Sequence, residues 1–261
     1  MKKLYILHAG CVADEVKMTV ALFNSSNESI QAVSSGGGSV DCIRSMLKGE
    51  PCDVLISADN ALFEIMLMPE RVSGYQVFAG NSMVVMSESA SKPISDDNWK
   101  ETLLSPEITF GHNDPHGDPG GYRAVMACML ADTVEQGLSR RLLGHVGRRV
   151  LASNYEKRPD YMFYYMSGAI KKGAVFARLP DSMNLSDPNL DGIYSSASFD
   201  LDGNGKNIVR GASIEHAITI PSDAAEPAYA MRFIDLFLQI DFELHGFIER
   251  RRRVGDWDQN A

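Results

Sequence analysis

The chain has 261 residues, 44% hydrophobic and 23% charged, which fits one large domain or two modest ones and excludes collagen-like, low-complexity and disulfide-dense proteins. Its 25 Lys and Arg against 34 Asp and Glu leave a formal charge of −9, which argues against a nucleic-acid binder that works through a general basic field. A small anion is not excluded, because a nest of backbone N–H groups holds anions on acidic proteins too.

In chain order, short apolar runs alternate with amphipathic segments, the rhythm of βα units. Leu4 to Leu7 reads as a buried strand leaving through His-Ala-Gly, and Asp14 to Phe23 as the helix that follows. A second strand, Ile30 to Val33, runs into Ser-Ser-Gly-Gly-Gly-Ser and a helix from Val40 to Lys48. A third, Val54 to Ser57, exits through Ala-Asp-Asn into a helix over Ala61 to Met68. Three such units in sequence predict an α/β fold built on a doubly wound parallel sheet, whose ligands bind beyond the strands' carboxyl ends. The turns at His8 to Cys11, Gly36 to Ser39 and Ala58 to Asn60 should therefore converge. Further on, Met83 to Met86 is strand-like, Ser87 to Asp97 a linker, Ile108 to Gly111 a strand and Gly120 to Ala131 its helix. Tyr161 to Ile170 is expected to be helical and Ala174 to Arg178 a strand. Ile208 to Ile220 is expected to be one long β-rich stretch, and a final helix is expected from Asp223 towards Arg253.

Cys11, Cys42, Cys52 and Cys128 form no C-x-x-C pair and no zinc-ribbon spacing, so free thiols are expected. No run approaches the ~18 uninterrupted apolar residues of a transmembrane helix, and MKKLYILHAG reads as a first strand rather than a signal peptide. The expectation is a cytoplasmic protein if Met1 is the native start, or an exported one whose leader is absent.

The segment GHNDPHGDPGGYRAVMACMLAD, Gly111 to Asp132, carries the most chemistry. Asp118 is a good N-cap, Pro119 suits the first helical position, and Gly120-Gly121 would leave first-turn N–H groups unobstructed for an anion. The carboxylate is at odds with sulfate or phosphate, since like unit charges 4 Å apart at an effective dielectric of ~20 repel by ~4 kcal/mol. Molybdate and tungstate differ, because the metal accepts extra oxygen ligands and turns a carboxylate into a partner.

The motifs HAGCVA (8–13), GGGSVDCIR (36–44), DVLISAD (53–59), NDPHGDPGGYRA (113–124), PDYMFYYMSGA (159–169), ARLPDSMNLSDP (177–188) and IEHAITIP (214–221) resemble, in order, those of the molybdate/tungstate-binding proteins of ABC importers, most strongly the tungstate-binding, archaeal-type branch. The resemblance implies a two-lobed type II periplasmic-binding-protein fold, each lobe a doubly wound mixed sheet flanked by helices, with the ligand in a cleft between lobes. It places lobe I at 1–80 and 187–261 and lobe II at 81–186. It also implies a non-enzymatic, monomeric receptor in the periplasm or cell envelope. The receptor would deliver its oxyanion to importer membrane subunits, with no cofactor, no nucleic-acid partner and no membrane insertion of its own. Molybdate or tungstate is the expected ligand, sulfate or phosphate the alternative. Carried over position by position, the ligand-binding residues are Gly10, Cys11, Ser39, Asp118, Pro119, Gly120 and Tyr165. Two departures stand out. Cys11 replaces a serine, and a thiol is the weaker hydrogen-bond donor. The family's second metal-ligating carboxylate has no clear counterpart in the basic stretch Gly144 to Arg158, where Arg148 and Arg149 stand near the expected place and Glu156 does not align without a gap.

Rival readings use some of the same residues. His112, Asp114, His116 and Asp118 alternate and could hold a metal ion for a hydrolase, although Pro115, Gly117 and Pro119 interrupt any regular strand. Cys11 with His8 could form a nucleophile, but a phosphatase loop needs Arg where Lys17 stands. A receptor-derived sensor working in the cytoplasm is a third. Arg250 to Arg253 are expected to complement the dipole at the end of the last helix.

Overall fold

Two folding units are built on separate sheets, and the computed structural model describes residues 1–88, 93–144, 149–151 and 159–256 of them. The first unit comprises Met1–Ala79, Glu215–Glu243 and Glu249–Ala261, the second Gly80–Ile214 and Leu244–Ile248.

In the first unit β1 (Lys2–Ala9) leads through a 3-10 turn at Gly10–Val12 into α1 (Ala13–Ser25), followed by β2 (Ile30–Gly37), α2 (Ser39–Leu47), β3 (Val54–Ser57), α3 (Ala61–Met66) and β4 (Gly74–Gly80). The second unit opens with β5 (Met83–Ser87), α4 (Trp99–Leu104), β6 (Phe110–His112), α5 (Pro119–Met129), α6 (Leu138–Leu143) and β7 (Arg149–Leu151). It continues with β8 (Tyr161–Tyr165), α7 (Met166–Lys171), β9 (Phe176–Arg178), α8 (Asp181–Asn184), α9 (Asp191–Tyr194), β10 (Ser198–Asp200) and β11 (Ile208–Arg210). The chain then returns to the first unit with β12 (Glu215–Thr219) and α10 (Pro227–Phe237), and ends in β13 (Ile248–Gly255).

The first sheet has the order β13-β4-β12-β3-β1-β2. Strands β1, β2 and β3 are parallel, with Ile6 opposite both Ser34 and Val54, and β12 runs antiparallel to β3. The four residues of β3 are all buried, as expected for a strand covered on both faces. Helix α10 turns Ala230, Phe233, Ile234 and Phe237 inward at helical spacing. Phe233 meets Phe23 of α1 at 5.9 Å between ring centroids, and Phe237 meets Phe78 of β4 edge-on at 5.1 Å. Each fully buried side chain of this kind contributes about 1.5–3 kcal/mol.

The second unit's sheet is mixed, in the order β7-β6-β8-β5-β9, with β6 parallel to β7 and β8, and β5 antiparallel to β8 and β9. A two-stranded ribbon of β10 and β11 accompanies it.

Four expectations are corrected. Tyr161 to Ile170 is not one helix: Tyr161–Tyr165 is a strand between β5 and β6, and helix begins only at Met166. A run of three tyrosines, a phenylalanine and a methionine suits a buried strand better than a helical turn. Ile208 to Ile220 is divided, because Gly211 passes so close to Tyr194 that a Cβ there would lie 2.0 Å from its carbonyl oxygen, and the two halves join different sheets. The last helix ends at Phe237, and Arg250 to Arg253 lie on the edge strand β13 rather than at a helix end, so they act there as charges that discourage further strand pairing. Residues 187–214, expected with the first lobe, belong to the second unit. They are tied there by Ser213 N–H to Asp191 Oδ1 at 2.6 Å, Ile214 N–H to the Leu185 carbonyl at 2.8 Å and Arg123 Nη1 to the Ala212 carbonyl at 3.0 Å. Among the described residues no helix is long and apolar enough to cross a membrane.

Candidate functional site

At the carboxyl ends of β1, β2 and β3 the expected convergence is present. Strand order β2-β1-β3 makes the gap between β1 and β3 the point where the winding direction reverses, the usual ligand position of such sheets. Ser39, buried at the start of α2, accepts the Ala58 N–H at 2.9 Å through Oγ and so joins the second turn to the third. Gly10 faces the Gly37 carbonyl, which a Cβ would approach to 3.7 Å, joining the first turn to the second. Helix α2 has Gly38 as its N-cap and receives no side-chain capping bond. Its first intrahelical hydrogen bond runs from Cys42 N–H to the Gly38 carbonyl, so the N–H groups of its first turn lack intrahelical acceptors.

Cys11 is half-buried, while Cys42, Cys52 and Cys128 are buried, and all four are free of disulfides. Its sulfur lies 3.8 Å from Nδ1 of His216, a fully buried side chain on β12. His216 was absent from the sequence-derived set. Its signal was only the His in IEHAITIP, 205 positions away in the chain. His8, the partner considered from sequence, instead donates Nδ1–H to the Ala9 carbonyl at 2.9 Å and lies over Gly36. Burial holds its pKa below the ordinary histidine value.

In the second unit the start of α5 is built as the sequence implies, with Asp118 at the N-cap and Pro119 in the first turn. One expectation changes. The first-turn N–H groups are already used: Gly120 donates to Asp118 Oδ1 at 2.8 Å and Gly121 to the Asp118 carbonyl at 2.9 Å. The carboxylate's other oxygen accepts Asn113 Nδ2 at 2.7 Å. What this helix start presents is therefore an oriented carboxylate, not a nest of donors. A Cβ at Gly120 would stand 3.4 Å from Asn113 Nδ2 and Asp118 Oδ1 and 3.8 Å from the Tyr165 ring. Asp118, Gly120, Asn113 and Tyr165 thus form one cluster, and Asn113 is the member missed from sequence.

The Tyr-Arg that follows supports this helix. Tyr122 stacks on Phe199 at 6.2 Å, and buried Arg123 reaches the Ala212 carbonyl. His112 and His116 each donate Nδ1–H to a backbone carbonyl, of Asn113 at 2.7 Å and of Leu201 at 2.8 Å, while Asp114 accepts the His116 N–H. Among the described residues no three His, Cys, Asp or Glu side chains gather as a metal-holding group, so the alternating quartet His112, Asp114, His116 and Asp118 does not assemble into the metal centre considered for a hydrolase. Arg148 and Glu156, and the side chain of Arg149, lie outside the described residues.

Residues 4–239 match the family described as bacterial extracellular solute-binding protein. An uncharacterized solute-binding protein of Petrotoga mobilis is 30% identical over 249 residues, covering 89% of this chain and 78% of that one. A molybdate/tungstate-binding protein of Pyrococcus abyssi is 26% identical, covering 90% of this chain and 80% of its own. Among solved structures, the periplasmic molybdate-binding protein of Azotobacter vinelandii superposes with a TM-score of 0.66 at 16% identity, covering 95% of this chain and 99% of that one, so the periplasmic-binding-protein fold is shared. With nine-tenths of its length matched and both sheets of that fold present, the chain belongs to the bacterial extracellular solute-binding protein family.

Proposed function

We propose that this protein is an extracytoplasmic receptor for molybdate or tungstate that feeds the membrane subunits of an ABC importer. Gly10, Cys11 and Ser39 of the first unit and Asp118, Pro119, Gly120 and Tyr165 of the second are proposed to bind the ligand. The observation that carries the reading is the Asp118 carboxylate, fixed by Gly120 N–H and Asn113 at the start of α5. Beside a sulfate such a group costs about 4 kcal/mol, whereas a hexavalent metal with open coordination positions takes it as a ligand. The likeness to the Pyrococcus abyssi molybdate/tungstate-binding protein supports the same ligand class.

Binding to the native state alone raises stability by about 2.7 kcal/mol at a ligand concentration 100 times Kd. A thermal-shift comparison of molybdate, tungstate, sulfate, phosphate and small carboxylates is expected to give upward shifts with the first two and smaller ones, or none, with the rest. No shift with any oxyanion overturns the receptor reading. A larger shift with sulfate than with molybdate keeps a receptor but removes the metal oxyanion as its ligand.

A further inference from the structure

Asn113 follows β6 directly and stands five residues before Asp118, and the loop between them folds back on itself. Asp118 N–H donates to the Asp114 carbonyl at 2.9 Å and His116 N–H to Asp114 Oδ1 at 3.0 Å, which closes a turn and returns Asp118 to the side of Asn113. The backbone of Asn113 is anchored independently of its side chain. Its carbonyl accepts Nδ1–H of the buried His112 at 2.7 Å, and Gly121 passes so near that a Cβ there would stand 2.5 Å from the same oxygen. From this fixed base the amide Nδ2 donates to Asp118 Oδ2 at 2.7 Å, while Gly120 N–H reaches Oδ1 at 2.8 Å. The last torsion of an aspartate is broad, so one donor alone lets the carboxylate plane turn about that contact. A second donor on the other oxygen fixes the plane.

We propose that Asn113 is a positioning residue that sets oxyanion selectivity, its neutral amide locking the plane of the Asp118 carboxylate for bonding to a metal centre. This rests on the molybdate/tungstate reading above and names the residue that makes the Asp118 carboxylate selective. Asn113 touches Asp118 and acts on the ligand only through it. A bond from carboxylate to metal has a direction, so the affinity it supplies depends on how well the carboxylate is aimed, and hydrogen bonds to ligating carboxylates commonly do the aiming. The choice of donor matters as much as its place. A lysine or arginine would hold the carboxylate at least as firmly. It would also bring a positive charge that offsets the repulsion of an ordinary anion, and sulfate or phosphate would then be admitted beside molybdate. An amide orients the carboxylate and adds no charge to it.

The test titrates the full-length protein with sodium molybdate and, separately, with sodium sulfate by calorimetry, and records the molybdenum X-ray absorption edge of the bound anion. The backbone carbonyl of residue 113 is common to every variant, so its bond to His112 is kept and only the amide is removed or replaced. In Asn113→Ala, molybdate affinity is expected to fall by about tenfold or more while sulfate binding, or its absence, stays as in the wild type. The edge spectrum should shift at the same time towards that of the free, four-coordinate anion. Asn113→Gln, which keeps the amide, should recover part of both. Asn113→Lys should raise sulfate affinity and lower the ratio of molybdate to sulfate further. If urea unfolding shows that Asn113→Ala does not fold, Asn113→Lys and Asn113→Gln decide by the same two readouts. An unchanged molybdate affinity, or an equal loss for both anions with an unaltered edge, overturns the positioning role and leaves the receptor reading standing. Absence of any heat or thermal shift with molybdate and tungstate in the wild type overturns both.

Discussion

The starts of α2 and α5 occupy equivalent places, each following a strand in an α/β unit, yet they solve the same problem in opposite ways. At α2 the cap is Gly38, which has no side chain, and Ser39 spends its oxygen on Ala58 N–H rather than on its own helix. At α5 the Asp118 side chain folds back onto Gly120, and its backbone carbonyl takes Gly121. The first start leaves donors, and the second consumes them and leaves a carboxylate. An ordinary anion gains from the first and is repelled by the second. Under the proposed function the carboxylate start is the one that tells a metal oxyanion from an ordinary anion, so the difference between the two helix caps bears on ligand identity.

The largest expected effect comes from breaking the second start. A Cβ at Gly121 would lie 2.5 Å from the Asn113 carbonyl oxygen and 2.6 Å from backbone atoms of Asp114 and Pro115, none of which is a flexible side-chain end. Gly121→Ala must therefore displace the loop that carries Asn113. It is expected to cost about 1–3 kcal/mol in urea unfolding and to abolish oxyanion binding. Gly120→Ala meets only side-chain atoms, at 3.4 Å and beyond, and should cost clearly less. Equal losses for the two would mean that the approach of α5 to its loop is not what fixes the carboxylate.

Breaking the first start is expected to cost a comparable amount of stability. Ser39→Ala removes the acceptor of the Ala58 N–H at a buried position, so a loss of about 1–3 kcal/mol is expected without loss of a helix cap. Ser39→Thr, which keeps the oxygen, should recover part of it. Smaller still in stability is Asp118→Asn, because asparagine caps about as well as aspartate and a change within about 0.5 kcal/mol is expected. Its effect belongs in the ligand ranking. Removal of the charge should weaken molybdate and strengthen sulfate, and a variant that changed neither would show that Asp118 matters only as a cap.

How much of this could be read from sequence follows the same division. In the first unit, strands buried on both faces show as short apolar runs, each followed by its own helix, so β1 to α3 were legible with small boundary shifts. The second unit's strands are three to five residues long and pair mainly with partners distant in the chain, as Met83 does with Tyr165. Local pattern is weak there, and Tyr161–Tyr165 passed for the first turn of a helix. In the candidate site, Ser39 and Asp118 were legible because helix caps are local chemistry. That the Asp118 side chain would consume the Gly120 N–H was not, since that depends on a rotamer. Nor was the Cys11–His216 pair, since an antiparallel strand inserted beside β3 creates it.

The smallest expected effect tests the first start from the side of pH. His8 lies over Gly36, where a Cβ would come within 2.5 Å of the ring, and its burial holds its pKa below the usual 6.5. In the unfolded chain the same side chain takes up a proton near 6.5, so over the interval below that value the unfolded state binds more protons than the native one. Stability must then fall as pH falls from about 6.5 through the lowered native value, and His8 makes no such contribution above it. Unfolding measured between about pH 7.5 and 5.5 should show a loss that His8→Gln reduces. An unchanged slope in His8→Gln would place the acid sensitivity of the first unit elsewhere. A reduced one would mean that keeping the buried His8 imidazole against Gly36 neutral contributes to the stability of the native chain near neutral pH.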